Sequence, residues 1–374
     1  MKEPPTVYRQ EHIPLPTSHI RLLPFLPLIG HHPLRDRLAA QWRAGRLPAS
    51  ILLHGPEGVG KQRLALWLGQ MLLCTSDNGP CGECQACRYA LEGQHPDLHW
   101  IFPRPRIKDD PGPEEAKEDL DQAVVERVKA SGLYARPGGA EGIYVYIGRL
   151  LVQQAALAPA MGRRKIFVIG DAERMVPQSS SPEAANAFLK LLEEPPPTVT
   201  FILTSSEPTA LLPTIRSRVV AFRVARLSDS ELRQFMAQPA VRDSLGSAGV
   251  DEERLRLCEG APGKLIGHAE QAAVFARARA FVEAAQGGRE RWLRTAFAQG
   301  GKGARGAFSD VLDALSVVLH ERARQAATNG EDRAAVAAAR AMRAVEEAKL
   351  AAQQNVSPQL LSAKLMRELS HLGQ

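Results

Sequence analysis

Two groups of residues in this chain have types and spacings that could do chemistry. The first is Cys74, Cys81, Cys84 and Cys87, spaced C-x6-C-x2-C-x2-C. Two overlapping C-x2-C pairs and a fourth thiol in one loop can give four thiolates to a tetrahedral Zn²⁺. Four thiolates leave no open position, so such a metal braces a loop and does not catalyse. An iron–sulfur centre and free thiols are the other readings of the same spacing. The second group is Gly55-Pro56-Glu57-Gly58-Val59-Gly60-Lys61, a G-x-x-x-x-G-K pattern between an apolar run and an amphipathic helix. Its backbone N–H groups can form a nest for phosphate oxygens, backed by the positive end of the helix, with Lys61 reaching the outer phosphates. This is a P-loop. The glycines let the turn visit positive φ and let a ligand approach the backbone.

The pattern then breaks. Position 62 ordinarily carries Ser or Thr, whose hydroxyl holds Mg²⁺, and here it is Gln62. A glutamine carbonyl is a poor substitute in a compact octahedral site. A second gap follows about a hundred residues on, in Lys165-Ile166-Phe167-Val168-Ile169-Gly170-Asp171-Ala172-Glu173. In P-loop ATPases such a strand ends in acidic residues that hold the metal and orient the attacking water. Gly170 stands where the first is expected, and Asp171 follows. Gly55, Gly58, Gly60, Lys61 and Gln62 thus make a degenerate nucleotide site, where ATP with Mg²⁺ is a doubtful ligand.

These residues need a scaffold, and the chain supplies one. Its 374 residues suggest two or three domains, and a hydrophobic content of 44% suffices for a proper core. A net charge of +6 permits nucleic-acid contact without requiring it. No apolar run is long enough to span a membrane and no signal-peptide pattern opens the chain, so no membrane partner is expected and the location expected is the cytoplasm. In that reducing compartment, five cysteines do not build a disulfide framework. Cys258, alone, reads as a small buried residue.

Short apolar runs (Ile51–Leu53, Leu98–Phe102, Ile166–Ile169, Val199–Thr204) alternate with helical stretches. That pattern predicts an α/β fold with a parallel sheet covered by helices on both faces. Leu34, Leu38 and Trp42 mark a helix before the P-loop strand, and another begins near Gln85, after the cysteine loop. Helices are also predicted over Gly148–Ala158 and over Glu183–Glu193, the latter ended by three prolines. Residues 1–27 read as a tail and 28–222 as the P-loop domain, with the cysteine loop at 74–87. Residues 103–142 read as an insertion. Its charged middle, Glu114–Lys129, suggests one solvated helix without chemistry. Ser228-Asp229-Ser230-Glu231 is a capping box opening a small helical domain, 223–268. Three or four helices are expected in 269–374.

Four blocks together resemble a known family: the P-loop with its cysteine loop, the strand ending at Gly170-Asp171, Asn186–Pro195 with its Leu-Leu-Glu-Glu-Pro, and Leu212–Val219 with its Ser217-Arg218. In this combination the chain is similar to the AAA+ clamp-loader subunits of bacterial DNA polymerase III, and among them to the delta-prime branch. The resemblance runs from about Pro27 to the C-terminus, the insertion apart, and Asn355–Leu361 looks like the family's last collar helix. It implies an AAA+ domain, a helical lid (223–268) and an all-α collar (269–374). It also implies partners: gamma/tau and delta subunits in a hetero-pentameric ring, the sliding clamp, and primer–template DNA through the complex. Arg218 would be an arginine finger reaching a neighbour's ATP, a role in which a guanidinium neutralises charge on a transferring phosphoryl group. Val219 replaces the family's usual cysteine. Ser206 would be the polar γ-phosphate sensor. Gln62 and Gly170 suit a subunit that does not hydrolyse ATP itself. The rival readings are an ATP-hydrolysing gamma/tau-like motor of the same loader and a zinc-containing nucleic-acid-binding protein unrelated to clamps.

Overall fold

A computed structural model describes residues 25–107, 111–133, 141–175, 182–245, 255, 258–265, 268–287, 289–297, 305–353 and 356–370. The tail up to residue 24, parts of the insertion and lid, and Asn355 lie outside the described residues.

The chain enters through α1 (His32–Arg43), whose Leu38 is buried, and then forms β1 (Ser50–His54). After the P-loop come α2 (Lys61–Leu73), α3 (Gln85–Leu91) and β2 (Leu98–Ile101). Next are α4 (Pro113–Lys129), α5 (Val145–Ala156) and β3 (Lys165–Ile169). Then follow α6 (Pro182–Glu193), β4 (Val199–Ser205), the single turn α7 (Pro213–Arg216) and β5 (Val220–Arg223). The five strands form one sheet in the order β2-β3-β4-β1-β5, every pair parallel. Parallel neighbours require crossover connections, which the intervening helices supply. All residues of β3 and β4 are buried. Successive strand residues point to opposite faces, so the sheet is covered on both. The core is built around Phe167, Phe201, Ile51, Leu53, Leu64 and Leu68, all with under 2% exposure.

β5 was not expected from the sequence. It is an edge strand with three of its four residues exposed, and only Phe222 faces the core. The insertion also departs from expectation. Helix α4 exists over the expected span, but it is not simply solvated: Ala116, Leu120, Ala123 and Val128 are buried in the sheet domain's core, and Arg104 grips Asp119 with two hydrogen bonds of 3.1 and 3.0 Å.

Beyond the sheet, α8 (Asp229–Met236) opens on a complete capping box, with Ser228 and Glu231 each closing the other's backbone donor. With α9 (Pro239–Leu245) and a short turn at Pro262–Leu265 it surrounds a small cluster of Leu232, Met236, Val241, Leu255, Cys258 and Leu265. Cys258 is buried there, as its isolation suggested. Among the described residues, five helices follow: α10 (His268–Gln286), α11 (Arg289–Phe297), α12 (Arg305–Thr328), α13 (Asp332–Gln353) and α14 (Pro358–Leu369). Three or four were expected. The extra one is α11, too short to show a period. Their shared core, with Phe281, Leu312, Leu315, Leu319 and Met366 at its centre, is separate from that of the sheet. Among the described residues no helix is long and apolar enough to cross a membrane.

Candidate functional site

Helix α2 carries both candidate sites, one at each end. Its N-cap is Gly60 (φ 91°), and Gly58 also sits at positive φ (77°), so the loop conformation requires glycine at both. Gly55 is needed for space: a Cβ there would lie 2.3 Å from the carbonyl oxygen of Val224. His31 holds the loop from outside, its Nε2 donating to the Val59 carbonyl at 2.9 Å. Burial keeps that imidazole below its ordinary pKa. From the other side, Gly263 N donates to Gly58 O at 2.7 Å, and neither glycine has room for a side chain. The turn at 262–265 therefore rests directly on the P-loop, a contact that the sequence did not announce.

Lys61 is buried, with its ammonium donating to Gly55 O (2.9 Å), Pro56 O (2.8 Å) and Ser206 Oγ (2.9 Å). The sequence-expected lysine and sensor serine are thus in direct contact. Ser206 N in turn donates to Glu173 Oε1 at 3.0 Å.

The metal position is different. Gln62 Nε2 donates to Asp171 Oδ2 at 3.2 Å, and its Oε1 accepts from Trp100 Nε1 at 3.0 Å and from Arg127 Nη1 at 3.3 Å. Gly170 lies against the same amide: a Cβ there would be 2.5 Å from Gln62 Cδ. The side chain at 62 therefore fills the space that an acidic residue at 170 would need. Mg²⁺ does not fit this site, because the amide sits between the P-loop and Asp171 and the first acidic ligand is absent. Trp100 and Arg127 were missed from the sequence, where neither belongs to a motif. The one available signal was that Gln62 and Gly170 depart from the pattern together.

At the other end of α2, Cys74 is the C-cap, and Cys84 is the N-cap of α3. The four sulfurs of Cys74, Cys81, Cys84 and Cys87 lie within 4.8 Å of one another. The Cys74–Cys84 and Cys81–Cys87 separations are 3.9 and 4.0 Å. A zinc–sulfur bond of about 2.3 Å implies tetrahedral edges of about 3.8 Å, so the residues fit a closed four-thiolate zinc site. Backbone amides already point at the sulfurs: Ser76 N and Cys81 N at Cys74 (3.4 and 3.5 Å), Cys84 N at Cys81 (3.3 Å), and Cys87 N at Cys84 (3.4 Å). Burial opposes ionisation of Cys84, but the amides of Thr75 and Cys87 outweigh it and bring its thiol down to about 6. Burial pushes Cys87 up to about 12, with the neighbouring sulfurs Cys74 and Cys84 adding to the rise. Four adjacent thiolates repel one another, and a divalent cation removes that cost.

Arg218 lies outside both sites, just after α7. Its side chain is 28% exposed and is bound to Glu193 Oε2, from Nε and Nη2, both at 2.8 Å. Nη1 donates to Thr214 O at 2.9 Å. The Leu-Leu-Glu-Glu-Pro block and the Ser-Arg block are joined by this ion pair, whose members are 25 residues apart.

With this geometry in hand, residues 30–228, over half of the chain, match the family model described as DNA polymerase III, delta subunit. The chain belongs to this clamp-loader family. It is 29% identical to DNA polymerase III subunit delta' of Escherichia coli over 236 residues, 62% of this chain and 57% of that protein. It is 32% identical to subunit delta' of Pseudomonas aeruginosa over 233 residues, 56% and 60% of the two chains. Subunit tau/gamma of Haemophilus influenzae is 26% identical over 243 residues, 64% of this chain and 29% of that protein. The chain spans less than two-thirds of the length of these curated relatives. Family membership overturns the reading as a nucleic-acid-binding protein unrelated to clamps. Both kinds of loader subunit match, so the choice between them rests on the residues of the site.

Proposed function

We propose that this chain is a delta-prime-like subunit of the DNA polymerase III clamp loader, a subunit that does not hydrolyse ATP but lends Arg218 to a neighbour that does. The observation that carries this reading is Gln62, whose amide fills the metal position of the chain's own P-loop. A gamma/tau-like motor needs that position open. The strand order β2-β3-β4-β1-β5 around the P-loop supports an AAA+ core. In this reading residues 223–268 are the lid and 269–374 the collar, through which the chain joins gamma/tau and delta subunits in a hetero-pentameric ring. The ring loads the sliding clamp onto primer–template DNA in the cytoplasm. Cys74, Cys81, Cys84 and Cys87 hold a structural Zn²⁺ that braces the connection between α2 and α3.

Arg218 has a planar, permanently charged guanidinium suited to phosphate oxygens. In the isolated chain Glu193 holds it. A neighbour's triphosphate carries more negative charge than one carboxylate, so docking of that neighbour draws Arg218 away from Glu193 and toward the γ-phosphate. The test is Arg218→Ala in the assembled loader. Assembly, followed by gel filtration, stays intact, because a half-exposed side chain contributes little to stability. ATP turnover and clamp loading fall about 100-fold or more, and Arg218→Lys restores only part. Normal turnover with the alanine variant defeats the finger assignment. Steady ATP hydrolysis by the purified chain alone, abolished by Lys61→Ala, promotes the motor reading instead.

A further inference from the structure

We infer that helix α4 of the insertion serves to station Arg127 beside the P-loop, bonded to Gln62, as a protein-borne cation whose own charge helps to exclude Mg²⁺. The inference rests on the silent-site reading above and gives it a positioning residue. Both ends of the Gln62 amide are engaged: its nitrogen donates to Asp171 Oδ2, and its oxygen accepts from Trp100 and Arg127. The guanidinium thus stands one amide away from Asp171, the carboxylate that follows β3 and faces Gln62. The guanidinium has a built seat. It lies 3.3 Å from the centroid of the Phe102 ring and 4.9 Å from that of Trp100, and those two rings pack edge to face at 5.1 Å.

The helix that carries Arg127 is itself anchored. Ala116, Leu120, Ala123 and Val128 of α4 are buried, and Arg104 clamps Asp119 from the strand side. Packing near its C-terminus is close enough that a Cβ on Gly93 would lie 2.6 Å from Val128 Cγ2. A guanidinium stationed there repels a divalent ion that would need the same carboxylate. The insertion, the glutamine and the missing acidic residue then form one device. Correcting only the last two leaves the cation in place.

The experiment compares full-length chains for binding of a fluorescent ATP analogue with Mg²⁺ and with EDTA. The double variant Gln62→Thr, Gly170→Asp restores the usual ligand types but keeps Arg127. To it is added either Arg127→Met, which preserves apolar contact with Trp100 and Phe102, or Arg127→Lys, which preserves charge. The Met triple variant is expected to gain Mg²⁺-dependent binding by about tenfold or more over both the double and the Lys variants. The Lys variant separates charge from packing, since a purely structural role would be served equally by either residue. Thermal melts establish that each variant is folded. The inference is overturned if the double variant binds the Mg²⁺ complex as tightly as the Met triple, if Lys and Met behave alike, or if the folded Met triple gains nothing. ATP hydrolysis by the unmodified chain would defeat the silent-site reading itself, and that outcome is seen before any variant is made.

Discussion

In the reading proposed above, the two ends of helix α2 treat a cation in opposite ways. They are 13 residues apart, about 20 Å along the axis. At the C-terminal end four sulfurs converge at tetrahedral spacing, with backbone N–H groups aimed at them. At the N-terminal end, where a P-loop ordinarily gathers a metal, the protein supplies its own positive charges. Lys61 is tied back onto its own loop, and Arg127 is bonded to Gln62. The difference shows what makes a metal site. Surplus negative charge on soft, converging donors requires a cation, whereas charge already balanced by side chains does not. In the proposed reading the P-loop has kept its glycines and lost its need for the ion.

The sharpest way to break this comparison is at the cysteine end. Cys84→Ser should lower the zinc content of protein purified without chelator from about one ion per chain to nearly none. It should also reduce the melting temperature, while far-UV circular dichroism still reports an intact α/β fold, since the hydrogen bonds to the four sulfurs come from within residues 74–87. A strong chelator acting on the unmodified chain should do the same. If metal analysis finds no zinc and all four thiols titrate freely under native conditions, the two ends of α2 are not opposites.

How much of this was legible in the sequence follows the same division. The cysteine site was readable because its ligand types are rare and its four members fall within fourteen residues. Strands β1, β3 and β4 were readable because burial on both faces leaves continuous apolar runs. β5 was not, because an edge strand with exposed Val220, Ala221 and Arg223 has neither a run nor an alternation. Helix α4 was visible, but its buried face is half alanine and was outweighed by the surrounding charges. The identity of Gln62 was plain and its meaning was not. Its partners Trp100 and Arg127 lie 38 and 65 residues further on and reach it only through the tertiary fold.

The N-terminal end offers two smaller tests. In a working ATPase the P-loop lysine is a catalytic necessity; in the silent-site reading Lys61 serves instead as a buried cross-link between two loop carbonyls and Ser206. Lys61→Ala should therefore cost about 1–3 kcal/mol of stability, because carbonyl acceptors lose their charged donor. ATP turnover by the assembled loader should be unchanged at a temperature where the variant is folded. Paired thermal melts and turnover assays decide it, and a loss of turnover with no loss of stability would return this loop to the active class.

The smallest effect concerns Gly170. Adding one methyl group there would bring a carbon to 2.5 Å from Gln62 Cδ. The glutamine is a flexible side chain, which argues for easy relief, but its amide is held by Asp171, Trp100 and Arg127. Relief must break at least one of those bonds. Gly170→Ala should therefore destabilise the chain by about 1 kcal/mol, at the lower edge of what overpacking costs. In a Gln62→Ser background, where the amide is gone, the same methyl group has room and its cost should largely vanish. Urea denaturation of the four proteins in this cycle measures the coupling directly. A cost that is equal in both backgrounds would mean that Gly170 is glycine for the sake of its backbone, and that its pairing with Gln62 is incidental.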